Sequence, residues 1–158
     1  MKNPELFNKT VAILVKAYLN DTLQHFNCCA CAVGNIVAAN MGLKLVKDGC
    51  GELEWDGRNT PSFRHGWASC FSTSYGNQTT NYDNYNIIFS AKEEIDSTGY
   101  SVEELAEIEL VFERKRHTRA PIFSGLMSVV DVLIKIHEAS ETECAEAKQL
   151  FVKTPQLV

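Results

Sequence analysis

The chain has 158 residues, of which 45% are hydrophobic and 22% are charged, and its formal net charge is −5. This length and polarity are typical of one globular domain with a substantial core, so we predict a single domain over 1–158. The acidic balance argues against a general affinity for nucleic acid or anionic membranes, because both depend on many Lys and Arg side chains.

The N-terminal segment MKNPELFNKT lacks the apolar core of a signal peptide, and no uncharged apolar run approaches the roughly 18 residues of a membrane span. We therefore predict a cytoplasmic protein without membrane association. In that compartment the six cysteines are expected to be reduced thiols.

Two helices are predicted at the start of the chain. Asn3 as an N-cap and Pro4 at the first helical position predict a helix that runs to about Leu19. Asn27 is a second N-cap candidate, and the segment NCCACAVGNIVAANMG predicts a short helix that ends at Gly42.

The second predicted helix has one face of small residues, because Ala30, Gly34 and Ala38 are spaced four apart. Such a face lets another helix approach closely. It is the basis on which we predict a homo-oligomer.

The pattern changes between about 43 and 86, where no helical stripe persists. Short alternating stretches such as GELEW and HGWASCF are typical of strands or extended loops. We predict an irregular insert that holds two short strands, inside a mostly α fold of five to six helices.

Helical patterns return in the C-terminal half. Ser101 and Glu104 form a capping-box pattern ahead of a helix from about 102 to 115. After Pro121, the stretch IFSGLMSVVDVLIKIHE has one apolar and one polar face, which predicts the central helix. Ser140 with Glu143 repeats the capping box and begins a last helix.

Two polar side chains of the central helix have simple structural interpretations. Asp131 is expected to form an exposed ion pair with Lys135, four residues later. His137 is expected at the polar edge of the helix end, where positive charge complements the helix dipole.

Three cysteines lie near the start of the second predicted helix, and they can be interpreted as a nucleophile or as small packing residues. Thiols in a first helical turn face unpaired N–H groups that stabilise thiolate, so Cys28 or Cys29 with His65 as base would suit a cysteine-dependent hydrolase. The commoner outcome is a small buried thiol, and we interpret these cysteines mainly as packing residues.

A zinc site is a further alternative. Cys28 and Cys31 make a C-x-x-C pair that His65 and Cys70 would complete to four ligands, but the second pair lacks zinc-knuckle spacing. The chain also lacks the G-x-x-x-x-G-K-[ST], G-x-G-x-x-G, G-x-S-x-G and H-E-x-x-H motifs, so no cofactor is predicted.

The insert and a basic run, RKRHTR, carry the leading binding hypothesis. Aromatic rings interleaved with uncharged polar residues are typical of recognition loops, although ordinary loops also use aromatic residues to close a core. Arg side chains bind phosphate bidentately, although positive charge at a helix end also has a purely structural reason. The predicted ligand-binding residues are Arg64, Trp67, Tyr75, Asn77, Asn81, Tyr82, Tyr85, Arg116 and Arg119.

The blocks NCCACAVGNIVAANMG, EIDSTGYSVEELAEIELVFE and FSGLMSVVDVLIKIHE resemble parts of a group of small uncharacterised proteins encoded by gut bacteria and their phages. The resemblance brings no established activity and no catalytic residue. It implies the functions of small phage accessory proteins, which include counter-defence by sequestering nucleotide immune signals and roles in the virion.

From these observations we predict a non-catalytic protein that binds a small phosphorylated or nucleotide-derived ligand, as in phage counter-defence. The alternatives are the cysteine-dependent hydrolase and a phage structural or interaction protein. A hydrolase requires one fast-reacting thiol, whereas a structural protein requires large assemblies without a small ligand.

Overall fold

The computed structural model describes residues 1–58, 91–114 and 121–152. These ranges contain six helices and two short strands, so the predicted mostly α fold, with short strands after the second helix, is confirmed. The elements in chain order are α1 (Pro4–Leu19), α2 (Ala32–Met41), β1 (Leu45–Lys47), β2 (Leu53–Trp55), α3 (Lys92–Thr98), α4 (Val102–Glu113), α5 (Ile122–His137) and α6 (Glu141–Val152).

The predicted caps begin three of the helices. The Asn3 side chain accepts the backbone N–H of Leu6 at 3.2 Å, and Pro4 is the first residue of α1. The capping box of α4 has both of its bonds: Ser101 Oγ accepts the N–H of Glu104 at 3.1 Å, and the Glu104 carboxylate accepts that of Ser101 at 2.8 Å. An equivalent box, formed by Ser140 and Glu143, precedes α6.

The start of α2 differs from the prediction. Asn27 does not cap this helix, because its side chain accepts the N–H of Cys29 at 3.0 Å and its carbonyl accepts that of Cys31 at 2.7 Å, which closes a separate turn. Cys31 is the N-cap instead, with Sγ accepting the N–H of Gly34 at 3.4 Å. The helix ends at Gly42 as predicted, with φ +68°.

The small-residue face of α2 contacts this turn rather than another helix at Gly34. A Cβ added to Gly34 would lie 2.3 Å from the backbone carbon of Cys29 and 2.4 Å from the carbonyl oxygen of Cys28. Only glycine therefore fits where α2 packs against the turn that precedes it. This packing removes Gly34 from the helix face on which the homo-oligomer prediction was based.

The core lies between α4 and α5 on one side and α1 and α2 on the other. A Cβ on Gly125 of α5 would meet the carbonyl oxygen of Phe112 at 2.8 Å, so α4 and α5 pack closely at this point. Each of these four helices contributes fully buried side chains, whose burial removes apolar surface from water and stabilises the fold. They include Leu14, Val33, Ile36, Val37, Leu105, Ile108, Phe112, Leu126, Val129, Val130 and Leu133.

The strands form an antiparallel hairpin, in which Leu45 is opposite Trp55. Strand β2 is fixed to the segment before α2. Its Leu53 N–H donates to the Gln24 side chain at 2.9 Å, and its Leu53 carbonyl accepts from the Asn27 side chain at 2.7 Å. The indole N–H of Trp55, a residue only 3% exposed, donates to the Cys29 carbonyl at 3.1 Å.

The two polar interpretations for α5 were wrong. Asp131 pairs with Lys148 of α6 at 2.7 Å, and Lys135 pairs with Glu107 of α4 at 2.8 Å, because the neighbouring helices bring opposite charges closer than the same helix does. His137 is 3% exposed rather than at a polar edge. Its ring contacts the Tyr100 hydroxyl and the Lys2 carbonyl inside the fold.

None of the helices in the described ranges has the length and apolar character needed to span a bilayer.

Candidate functional site

The ligand site predicted from sequence lies outside the described residues. This applies to Arg64, Trp67, Tyr75, Asn77, Asn81, Tyr82, Tyr85, Arg116 and Arg119, and also to His65 and Cys70. The aromatic binding surface, the base of the hydrolase and half of the zinc site therefore stay predictions. The three clustered cysteines and the two N-terminal helices lie within the described residues.

The environments of Cys28 and Cys31 disfavour the thiolate form that an activated nucleophile requires. Cys28 and Cys29 lie in the turn before α2 rather than in its first turn, so the predicted dipole stabilisation does not apply to them. A hydrogen bond with Cys29, together with burial, raises the pKa of the Cys28 thiol. Burial, with the nearby charge of Glu109, also raises the pKa of Cys31. Since the thiolate is the nucleophile, these environments favour the unreactive form.

The described residues do not form a metal site. Within them, no group of three or more His, Cys, Asp or Glu side chains is arranged to hold a metal ion. The His25 ring packs against Phe112, and its Nδ1 lies 3.4 Å from the Glu113 carboxylate. The Glu113 carboxylate also accepts the backbone N–H of Phe26 at 3.1 Å, so it is used within the fold.

A cleft of about 610 Å³ opens between α1, α2 and the start of β1. We refer to it as the α1–α2–β1 cleft. Its described lining is mainly apolar, with three lysines and no acidic residue, in a chain whose 20 acidic side chains outnumber its 15 Lys and Arg. The lining residues are Lys9, Ala12, Ile13, Lys16, Ala17, Asn20, Thr22, Asn35, Ala38, Ala39, Leu43, Lys44, Leu45 and Val46.

The three lysines of this cleft, Lys9, Lys16 and Lys44, are exposed and form no ion pair with any residue that the structure describes. Of the described lysines outside the cleft, Lys47 is also without an ion pair, whereas Lys2, Lys92, Lys135 and Lys148 are paired with carboxylates. The cleft therefore combines apolar walls with positive charge that no described residue neutralises. This combination is chemically complementary to an anion with an apolar body.

One buried polar side chain of the cleft lining, Asn35, is hydrogen-bonded within the fold. The buried Asn35 side chain donates to the carbonyls of Thr22 at 2.7 Å, Ala30 at 3.1 Å and Cys31 at 3.1 Å, and it accepts the Thr22 hydroxyl at 2.9 Å. These bonds join the end of α1 to the start of α2. Because its polar atoms are used in the fold, Asn35 has a structural role at the cleft.

The α1 wall was missed because the sequence was interpreted by its strongest apolar stripe. Phe7, Val11 and Leu14 of α1 face the core. On another side of the same helix, Ala12 and Ile13 lie between lysines at 9 and 16. An apolar patch flanked by lysines at helical spacing was the available signal, but the second wall comes from residues more than twenty positions later.

In comparisons with known proteins, no family model, no curated protein and no solved structure matches this chain. The resemblance to gut bacterial and phage proteins therefore stays a prediction.

Proposed function

We propose that this protein is a non-catalytic binding protein that holds a small anionic ligand with an apolar body in the α1–α2–β1 cleft. The observation that carries the proposal is the set of lysines at 9, 16 and 44, which line an apolar cavity and have no ion-pair partner among the described residues.

The volume of the cleft supports the proposal of a small-molecule ligand. Ligand pockets in proteins commonly enclose about 300–1,000 Å³, and are mainly apolar with a few polar groups that fix orientation. The cavity of about 610 Å³ falls within that range. Apolar wall atoms from Ile13, Leu43 and Leu45 would cover the body of the ligand, which removes its surface from water.

The charge distribution also supports an anion. Because the whole chain has a net charge of −5, long-range attraction for anions is weak and recognition depends on local lysines. Lys9, Lys16 and Lys44 provide that local attraction around one apolar surface.

The described lining supports binding rather than catalysis. It contains no Asp, Glu, His or Cys, and its one hydroxyl side chain, Thr22, donates to Asn35 at 2.9 Å. These residues provide neither a carboxylate–imidazole pair nor a thiol for nucleophilic chemistry. A phosphorylated or nucleotide-derived ligand belongs to the proposed class. A counter-defence role is the extension that the sequence resemblance suggests.

The test is fluorescence titration with two probes that share one ring skeleton. Anilinonaphthalenesulfonate carries an anionic group, and phenylnaphthylamine does not. We expect the anionic probe to bind more tightly, and we expect Lys16→Gln to weaken it roughly tenfold, since a hydrogen bond to a charged group contributes about 1.5 kcal/mol. Affinity for the neutral probe should stay within about twofold of the unmodified protein.

Two matched variants control for charge and for steric effects. Lys47 is exposed and lies in β1 outside the cleft lining, so Lys47→Gln should not change the binding of either probe. Ala12→Trp should fill the cleft and abolish binding, whereas Ala145→Trp on the exposed surface of α6 should not. Equal effects of Lys16→Gln and Lys47→Gln, or full binding by Ala12→Trp, would reject the cleft as the site.

A further inference from the structure

We infer that the ligand of the α1–α2–β1 cleft carries two anionic groups at opposite ends of an apolar segment, and that Lys9 and Lys16 each hold one of them. This inference rests on the proposed function of the cleft and adds the arrangement of charge in its ligand.

The spacing of the two lysines on α1 carries the inference. Lys9 and Lys16 are seven residues apart, which is close to two full turns, so both extend from the same side of the helix. At about 1.5 Å per residue their Cα atoms are roughly 10 Å apart along the helix axis. Side chains whose bases are that far apart can each contact a separate anionic group, and the two anions then stay far enough apart to limit their mutual repulsion.

The surface between the lysines is apolar. Ala12 and Ile13 lie between them on the cleft wall, and both line the cavity. Water bound over this surface would be displaced by an apolar segment, and a charge placed there would lose hydration without gaining a partner. The wall therefore has the order cation, apolar surface, cation, and its complement has the order anion, apolar segment, anion.

The rest of the lining is consistent with this order. Leu43 and Leu45 also line the cavity, and Lys44 between them in sequence supplies a third positive charge. No described lining residue is acidic, so neither end of a dianion would meet a like charge. The deeper polar group, Asn35, uses its donors on three backbone carbonyls and does not compete for the ligand.

The test uses para,para′-biphenyldicarboxylate and the corresponding biphenylmonocarboxylate. The two compounds share a rigid apolar body and differ in the second anionic group. Isothermal titration calorimetry should show that the dicarboxylate binds roughly tenfold more tightly to the unmodified protein, because it adds a second charge-assisted contact. Lys9→Gln and Lys16→Gln should each remove that advantage, while Lys47→Gln should preserve it.

The outcomes separate this inference from the proposed function. If both carboxylates bind with equal affinity and Lys44→Gln or Lys16→Gln weakens them alike, the cleft binds anions but the two-ended ligand is wrong. If the dicarboxylate is preferred and the preference survives both Lys9→Gln and Lys16→Gln, the assignment of the two ends is overturned. If neither carboxylate nor anilinonaphthalenesulfonate binds, the proposed function fails as well.

Discussion

The hydroxyl of Tyr100 lies 2.8 Å from Nε2 of His137, and it joins the start of α4 to the end of α5 in the protein interior. The same hydroxyl is 2.9 Å from Thr10 Oγ1 of α1, and His137 Nδ1 is 2.7 Å from the Lys2 carbonyl. Three helices and the N-terminal residues that precede α1 thus meet at one polar contact. These hydrogen bonds require the neutral phenol of Tyr100, since a phenolate cannot donate a hydrogen bond.

Tyr100 should make the stability of the fold sensitive to alkaline pH. Burial raises the pKa of Tyr100 from 10 to about 12. A group whose pKa is raised in the folded state contributes stability that is present below its unfolded pKa and is lost as pH rises through the folded value. The free energy of unfolding should therefore fall by up to about 2.5 kcal/mol between pH 10 and pH 12, in urea denaturation experiments.

Tyr100→Phe is the control for this effect. The variant should be less stable at neutral pH by about 1 kcal/mol, because it loses hydrogen bonds to Thr10 and His137. Its stability should then decline less steeply than that of the unmodified protein above pH 10. Parallel declines in the two proteins would show that Tyr100 does not carry the alkaline sensitivity.

Gly34→Ala should strongly destabilise the protein. The added methyl group would lie 2.3 Å from the backbone carbon of Cys29, and backbone atoms cannot move aside as a flexible side chain can. The free energy of unfolding should fall by about 3 kcal/mol, measured by urea denaturation. Gly49→Ala has no neighbouring atom within 4 Å, so it should change the stability by less than about 0.5 kcal/mol. Similar losses in both variants would contradict the close packing at Gly34.

Asn35→Asp should destabilise the protein by removing the hydrogen bonds that connect the end of α1 to the start of α2. A carboxylate has nearly the size of the amide, but it would face the carbonyls of Thr22, Ala30 and Cys31 without a donor. The expected loss in the free energy of unfolding is about 3 kcal/mol, since buried acceptors lose their partner and a charge is buried. Asn20→Asp, at an exposed position of the same cleft, should fold normally. A stable Asn35→Asp protein would show that the amide bonds contribute little.

The clustered thiols should react slowly with iodoacetamide near neutral pH. The pKa values of Cys28 and Cys31 are raised, and Cys29 and Cys31 are buried, so little thiolate is accessible. The exposed Cys50 should be alkylated before the three clustered thiols, as followed by mass spectrometry of each cysteine-containing peptide. Denatured protein, in which the thiols should react at similar rates, provides the control. Faster labelling of Cys28 than of Cys50 would revive the hydrolase interpretation.

Local signals in the sequence predicted the helices well. Asn3 with Pro4, and the two Ser–Glu capping boxes, begin helices in the structure because the bonds that define a cap involve residues within one turn. The same reasoning failed at Asn27, where the side chain satisfies the N–H of Cys29 in a turn instead. Caps and such turns use the same residue type, so the sequence does not distinguish them locally.

Tertiary partners were beyond sequence reasoning. Asp131 pairs with Lys148 rather than Lys135 because of where α6 lies. Lys135 pairs with Glu107 because of where α4 lies. The α1–α2–β1 cleft is a further case. Its walls come from segments whose juxtaposition is set by core packing and by the bonds of Asn35, and neither is encoded in a short motif.

The β1 wall of the cleft is positioned by residues that would not touch a ligand there. Strand β1 pairs with β2, and β2 is held by Gln24, Asn27 and the indole of Trp55. Substitutions at these remote positions should therefore appear in a selection for altered ligand preference, alongside substitutions of the lysines. Ligand specificity would then change through shifts in the position of β1 as readily as through substitution of the side chains that line the cleft.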